Sequence, residues 1–297
     1  MMTRSDEIEF QREKIKILYV HGYMGDPYGG SFQKISKYAA EADFGGGKVQ
    51  MHTFDYDPCN PRKAVRDLRL YYYEHDIDLM IGSSLGGFLV ASCRGARRIA
   101  VNPCWLPSVE LPKIGFEAPV EDYGILENWL GMYSDSGDCD LCVGCFARND
   151  ELLGHRYRPR FRKFFPETYD IAGGHHLSEA AAKKIMTEIA PAMIARLKAK
   201  RGLGHIVRKG LSVVEKLDYA HMLSFDNLDL VQASGKCGCF FCEKIFPAGE
   251  VTQYLKETAA HTALCPHCGI DAILGDASDL KMSPGFLRRM HAEWFGN

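Results

Sequence analysis

The sequence lacks a long hydrophobic run and an excess of charge of either sign. Its first apolar segment, residues 15–20, is too short for a signal sequence or a membrane-spanning helix, so we expect a cytoplasmic protein with no membrane contact. The net charge is −2, and residues 203–297 hold nine Lys and Arg against eleven Asp and Glu. Because nucleic-acid binding needs a basic surface, we expect no nucleic-acid partner.

Internal repeats and low-complexity segments are also absent, and short apolar segments alternate with amphipathic ones over the first 200 residues. We predict strands near 15–20, 49–54, 79–81, 99–102, 140–147 and 167–171, with helices near 61–75 and 178–198. Such alternation is typical of the α/β class, with a mostly parallel sheet covered by helices on both faces. A basic, glycine-containing break follows the last helix, so we predict two domains, residues 1–202 and 203–297.

Residues 82–86, Gly-Ser-Ser-Leu-Gly, fit the Gly-x-Ser-x-Gly pattern of a nucleophile on a sharp strand-to-helix turn. Glycines flank such a serine because a side chain there would collide with the neighbouring strand or helix. The same pentapeptide also occurs in ordinary turns. On the first interpretation Ser84 is the nucleophile, and the backbone N–H groups of Tyr23 and Leu85 form the oxyanion hole.

Candidates for the remaining catalytic groups follow later predicted strands, in the order Ser, Asp, His that α/β-hydrolases use. Asp150 follows the strand at 140–147 and is the predicted acid, although aspartate at this position also suits a helix N-cap. Glu151 is the nearest alternative. Two histidines, His175 and His176, follow a pair of glycines after the strand at 167–171, and the tight loop could point an imidazole toward Ser84.

Five short segments together carry a family resemblance. They are Tyr19-Val20-His21-Gly22-Tyr23, Gly82-Ser83-Ser84-Leu85-Gly86-Gly87, Val101-Asn102-Pro103, Asn149-Asp150-Glu151 and Gly173-Gly174-His175-His176. With them, residues 15–200 resemble the small bacterial YqiA/YcfP-like esterases of the α/β-hydrolase superfamily. The resemblance implies a compact hydrolase with little or no lid that acts on short acyl esters. It also selects His176 as the base, with His175 and Asn149 standing where the family has asparagine and glycine.

Cysteines cluster near the end of the chain in two Cys-x-x-Cys pairs, Cys239 with Cys242 and Cys265 with Cys268, separated by 22 residues. Each pair can clamp one metal from a tight turn, and this spacing is typical of a zinc ribbon. Four thiolates leave no open coordination position, so we predict structural Zn²⁺ and no cofactor for catalysis. Cys237 is an alternative ligand to Cys239.

These patterns predict a serine esterase that acts on a small acyl ester, with a zinc module for recognition of a partner or substrate. The module could bind a protein partner. The alternative is an interaction protein that uses a hydrolase-like scaffold without significant catalysis. The basic run at 156–163 is interpreted as solvated surface, with attraction of an anionic substrate as the alternative. We expect the aromatic residues of segment 104–138 to cap the acyl pocket, namely Trp105, Tyr123, Trp129 and Tyr133.

Overall fold

The computed structural model describes residues 14–45, 47–132, 138–154, 156–200, 217, 220–221, 223–257, 260–278, 280 and 282–296. The chain forms two compact units, residues 1–207 and 208–297. The domain boundary predicted between residues 202 and 203 lies in 201–216, outside the described residues. Each unit is therefore described by itself.

The first unit is built on a six-stranded sheet in the order β2-β1-β3-β4-β5-β6, with every neighbouring pair parallel. Its strands are β1 (Lys14–Val20), β2 (Lys48–Phe54), β3 (Leu79–Ser83), β4 (Arg98–Val101), β5 (Cys142–Ala147) and β6 (Thr168–Ile171). Strands β3 and β5 are almost entirely apolar because both faces of the sheet are buried. The predicted parallel sheet is confirmed.

Helices cover both faces of this sheet. They are α1 (Gly30–Ala39), α2 (Pro61–Glu74), α3 (Leu85–Ala91), α4 (Pro107–Glu110), α5 (Glu121–Met132), α6 (Arg158–Phe161), α7 (Glu179–Lys184) and α8 (Ala190–Lys200), with a π-helical turn Ile185–Ile189 joining the last two. On one face α1 and α7 pack over Ile17, Ile81 and Ile99, and on the other α3 packs over Ala100. In the described part of the chain, no helix combines the length and hydropathy that crossing a bilayer requires.

The predicted α/β-hydrolase class is confirmed by these features together. The sheet is parallel, both of its faces are covered, and β3 passes through a single residue, Ser84, into α3. Loops that follow parallel strands gather at the carboxyl edge of a sheet, where α/β proteins place their ligands. The loops after β1, β3, β4, β5 and β6 therefore meet beside Ser84.

The second unit combines two small antiparallel sheets with short helices. Its elements are α9 (Leu228–Ala233), β7 (Lys236–Cys239), β8 (Ile245–Pro247), β9 (Tyr254–Glu257), β10 (Ala260–Ala263), β11 (Ile273–Gly275) and α10 (Pro284–Trp294). Strands β11, β7 and β8 form one sheet, and β9 and β10 form a hairpin. Close packing shows at Gly238, where a Cβ atom would lie 2.5 Å from Met282 Sδ and 3.0 Å from Leu287.

Candidate active site and metal site

Ser84 occupies a strained turn between β3 and α3. Its φ of 54° and ψ of −117° are unusual for a residue with a side chain. The surrounding backbone holds this conformation, since the N–H of Ser84 donates to Val101 O at 2.9 Å and its carbonyl accepts from Cys104 N at 3.0 Å. The turn lifts the hydroxyl out of the sheet toward the loops at its carboxyl edge.

The two glycines of the pentapeptide are required by close backbone approach. A Cβ atom at Gly82 would lie 2.2 Å from Gly86 O, and one at Gly86 would lie 2.3 Å from His21 O. Such contacts are too short for any side chain, and the atoms approached belong to the main chain, which cannot move aside cheaply. The Gly-x-Ser-x-Gly pattern therefore reflects a steric requirement for glycine at both positions.

His175 links Ser84 to Asp150. Its Nε2 atom lies 3.0 Å from Ser84 Oγ, and its Nδ1 atom lies 3.1 Å from both carboxylate oxygens of Asp150. The side chain of His175 is 8% exposed and that of Asp150 only 2%. A hydroxyl, an imidazole and a buried carboxylate thus form one continuous hydrogen-bonded chain.

His176, which the family resemblance selects as the base, does not take this place. Its side chain is exposed, and its ring centre lies 6.0 Å from that of His175. Neither Ser84 nor Asp150 makes a hydrogen bond to it in the described part of the chain. The prediction is corrected by one residue, because contacts from other loops fix the backbone of His175 rather than that of His176.

Asn102 and Glu151 hold the His175 peptide from opposite ends. The side-chain amide of Asn102 donates to His175 O at 3.0 Å and to Gly174 O at 3.2 Å, and its Oδ1 accepts from Ala147 N at 2.7 Å. Glu151, the alternative acid, instead accepts the backbone N–H of His175 at 2.9 Å. Its carboxylate fits there because residue 174 is glycine, where a Cβ would lie 2.4 Å from Glu151 Oε2.

Asn102 was missed as a site residue at the sequence level, where it appears only within a matching segment. It is buried, with φ of 42°, a conformation that asparagine tolerates better than most residues. A polar residue directly after a buried parallel strand is the signal that could have found it, since such positions face the carboxyl edge of the sheet.

The surroundings of Asp150 favour its ionised form. Burial by itself raises the pKa of its carboxyl group, but hydrogen bonds from His175 and from the backbone N–H of Leu153 outweigh burial, so the net pKa lies below its usual range. A carboxylate facing Nδ1 favours the tautomer with the proton on that nitrogen. Nε2 is then left to accept the proton of Ser84.

The backbone predicted to bind an oxyanion lies beside the nucleophile. A Cβ atom at Gly22 would sit 3.7 Å from Ser84 Oγ, which places the loop after β1 against the hydroxyl. The N–H groups of Tyr23 and Leu85 donate no hydrogen bond to any described residue. Leu85 begins α3, whose first N–H groups have no partner within the helix. Tyr23 and Ser84 border a cleft of about 300 Å³.

Four cysteine sulfurs meet in the second unit. The Sγ atoms of Cys239, Cys242, Cys265 and Cys268 all lie within 4.8 Å of one another. Two of the separations are 3.7 Å, from Cys239 to Cys268, and 3.8 Å, from Cys242 to Cys265. A tetrahedron with Zn–S bonds of about 2.3 Å has sulfurs about 3.8 Å apart. The cluster could therefore hold a metal ion. Cys237, the alternative ligand, is outside it.

Both Cys-x-x-Cys turns use the same backbone device. Glu243 follows the first pair with φ of 60°, and Gly269 follows the second with φ of 76°. In the first turn the left-handed residue directs the next backbone N–H, that of Lys244, toward the sulfur of Cys242, while Cys242 N donates to Cys239 Sγ at 3.5 Å. The two turns differ in cost, because glycine adopts this conformation freely and glutamate does not.

Three of the four aromatic residues expected to cap the pocket, Trp105, Tyr123 and Trp129, do not line it. Trp105 is buried against Phe161, with ring centres 4.9 Å apart, and the buried Tyr123 donates its hydroxyl to Pro58 O at 2.7 Å. Trp129 lies outside the cleft beside Arg62, while Tyr133 lies outside the described residues. Of segment 104–138, the cleft contains one described residue, Ile114.

Two arginines of the basic run are engaged within the first unit. Arg156 pairs with Glu110 at 2.8 Å, and Arg158 pairs with Asp170. No described residue of the run borders the cleft. The interpretation of this run as ordinary surface is favoured over attraction of an anionic substrate.

No protein-family model matches the sequence, and no curated protein does. Solved structures align with 61–64% of this chain. The esterase domain of a Rhodothermus marinus protein shares 13% identity, covers 61% of this chain and 87% of its own, and gives a TM-score of 0.47. Est1E from Butyrivibrio proteoclasticus shares 13% identity, covers 64% of this chain and 89% of its own, and gives a TM-score of 0.42. Mouse alpha/beta hydrolase domain-containing protein 10 shares 16% identity, covers 63% of this chain and 90% of its own, and gives a TM-score of 0.40. The YqiA/YcfP-like resemblance stays a prediction.

Proposed function

We propose that the first unit is a serine hydrolase of acyl esters in which Ser84 is the nucleophile, His175 the general base and Asp150 the orienting acid. The observation that carries this proposal is the hydrogen-bonded chain from Ser84 Oγ through both ring nitrogens of His175 to Asp150, at 3.0 and 3.1 Å. The strained backbone of Ser84 supports it, because such strain is typical of nucleophile turns.

The reaction proceeds in two halves. His175 Nε2 accepts the Ser84 proton while Oγ attacks the acyl carbonyl carbon, and Asp150 stabilises the imidazolium that forms. The N–H groups of Tyr23 and Leu85 bind the tetrahedral oxyanion. His175 then gives its proton to the departing alcohol, leaving an acyl group on Ser84. Water attacks this ester with His175 again as base, which releases the acid and restores the hydroxyl.

The four-cysteine cluster is proposed to be a structural zinc site. Its sulfur separations suit Zn–S bonds, and four thiolates leave no position for a substrate or for water. A unit of this size gains much of its stability from such a site. We propose a cytoplasmic location as well, since the two Cys-x-x-Cys pairs are arranged as metal ligands rather than as disulfides.

A fluorophosphonate probe tests the catalytic assignment, since it reacts with activated serines. We expect mass spectrometry to find the probe on Ser84, and Ser84→Ala to abolish the labelling. The matched pair His175→Ala and His176→Ala separates the two histidines. His175→Ala should slow labelling by at least about 10³-fold, whereas His176→Ala should change it only severalfold.

Circular dichroism of every variant provides the control for folding. A folded wild-type protein that the probe leaves unlabelled would refute the proposed activity. Loss of labelling in His176→Ala but not in His175→Ala would instead refute the assignment of the base.

A further inference from the structure

Large exposed hydrophobic side chains gather at the mouth of the Ser84 cleft. Met24 is 85% exposed, Ile114 53% and Leu152 52%, and all three line the cleft. In the described part of residues 14–200, six large hydrophobic side chains are exposed, so half of them lie at this one place. They come from three separate segments, namely the loop after β1, the 3₁₀ turn after α4 and the turn after Asp150.

The stability of the fold does not explain why these hydrophobic side chains are exposed. Met24 has φ of 56°, a conformation that is strained for methionine and easy for glycine or asparagine, and its side chain is mostly in water. Leu152 supports the site through its backbone N–H, which donates to Asp150 Oδ1 at 3.0 Å, and its side chain takes no part in that bond. The apolar surface is thus available to a ligand in the cleft.

The charged residues that line the cleft disfavour an anionic substrate. No described lining residue is Lys or Arg, and Asp26 contributes a carboxylate. Arg156, which lies four residues beyond Leu152, is held by Glu110. A substrate that carries a carboxylate or phosphate near Asp26 would meet repulsion, with no lysine or arginine among the described lining residues to offset it.

We propose that Met24, Ile114 and Leu152 form a subsite for the aliphatic chain of an uncharged ester, and that the enzyme favours medium chains over the short ones that the family resemblance implies. The inference rests on the proposed function, because the subsite serves a carbonyl placed at Ser84. Each methylene group that these side chains fully cover raises reactivity by up to about fourfold. A chain of several carbons therefore gains one order of magnitude or more, even with partial cover.

Two fluorophosphonates that differ only in an ethyl or an octyl chain test the subsite, both used below the micelle concentration. The quantity measured is the ratio of their second-order rate constants for labelling Ser84. We expect the wild-type protein to react at least tenfold faster with the octyl probe. Met24→Asn, Ile114→Gln and Leu152→Gln should each lower this ratio at least threefold, and the triple variant should bring it near one.

The variants are chosen so that folding is preserved. All three positions are exposed, and asparagine suits the positive φ at residue 24. Val109→Gln is the matched control, since Val109 is 46% exposed and lies outside the cleft. It should keep the wild-type ratio.

The outcomes separate the subsite from the proposed function. Equal labelling of the wild type by both probes, or a wild-type ratio in the triple variant, would overturn the subsite while Ser84 remains a reactive serine. Failure of both probes to label the folded wild type would overturn the proposed function and the subsite with it.

Discussion

Replacement of Asn102 tests how the loop that carries His175 is held. The side chain makes three hydrogen bonds, to His175 O, Gly174 O and Ala147 N, and all are lost in Asn102→Gly. Ala147 is buried, so its N–H group would be left without a partner. Glycine accepts the φ of 42° without strain, whereas alanine does not. The two variants therefore separate hydrogen bonding from backbone strain.

The magnitudes follow from these contacts. An orphaned buried N–H costs about 1–3 kcal/mol, and each remaining hydrogen bond contributes about 1 kcal/mol. We expect Asn102→Gly to lower the free energy of unfolding by about 3–5 kcal/mol, and Asn102→Ala by roughly 1 kcal/mol more. Displacement of the His175 ring by about 1 Å should slow fluorophosphonate labelling of Ser84 by about 10²-fold.

The assay pairs urea denaturation with the rate constant of labelling over a range of pH. Asn227 in the second unit provides a matched control, because it is buried, donates to Ile273 O at 2.9 Å and accepts from Ala263 N at 2.8 Å. Asn227→Gly should destabilise the second unit and leave labelling unchanged. If Asn102→Gly loses the expected stability but labels within about twofold of wild type over this pH range, Asn102 does not position His175.

Three further predictions concern titration, metal and backbone strain. The folded-state pKa of Asp150 is lowered, so its ionised carboxylate stabilises the fold at pH values above the ordinary carboxyl range. This stability is lost as the pH falls below about 4 and through the lowered pKa. Urea denaturation at several pH values should therefore show that the free energy of unfolding falls less steeply with acid in Asp150→Asn than in the wild type. Elemental analysis should find one zinc per chain in the wild type and in Cys237→Ser, and none in Cys265→Ser; zinc loss in Cys237→Ser would contradict the ligand set. Chelator competition should show that Gly269→Ala weakens zinc retention whereas Glu243→Gly preserves or strengthens it; the reverse order would contradict the role of the left-handed residues.

Much of the fold and part of the site could be predicted from the sequence because the relevant physics is local. The Ser84 turn depends on glycines within two residues of it, and the Cys-x-x-Cys turns depend on a spacing of three. Strand and helix positions followed from runs and periods of apolar residues. Such features need no knowledge of which distant segments meet.

The choice between His175 and His176, by contrast, depends on contacts between segments that are distant in the sequence. The two residues are adjacent and chemically identical, so only the fixing of the loop backbone distinguishes them. That fixing comes from Asn102 and Glu151, which lie 73 and 24 positions away along the chain from His175. The resemblance supplied a rule for this loop, and the chain departs from it where histidine replaces asparagine at 175.

The expectation that Trp105 and Tyr123 cap the pocket is wrong because aromatic residues can serve either in a binding site or in the interior of the fold. Trp105 and Tyr123 bury their rings in the interior, where large apolar surfaces stabilise the fold most. The side chains that reach the cleft mouth are aliphatic and scattered along the sequence, at Met24, Ile114 and Leu152. No period or spacing links them, so only the folded chain brings them together.

The contacts of Gly82 and Gly86 have a consequence for engineering. Because the atoms that these glycines approach belong to the main chain, the coordinates of the Ser84 hydroxyl depend little on which side chains surround the cleft. The three apolar residues at the mouth, by contrast, extend from separate loops into solvent. The position of Ser84 is thus fixed by backbone contacts, whereas the mouth is formed by exposed side chains. Substitution of those side chains can change the substrate preference while the Ser84 turn is kept.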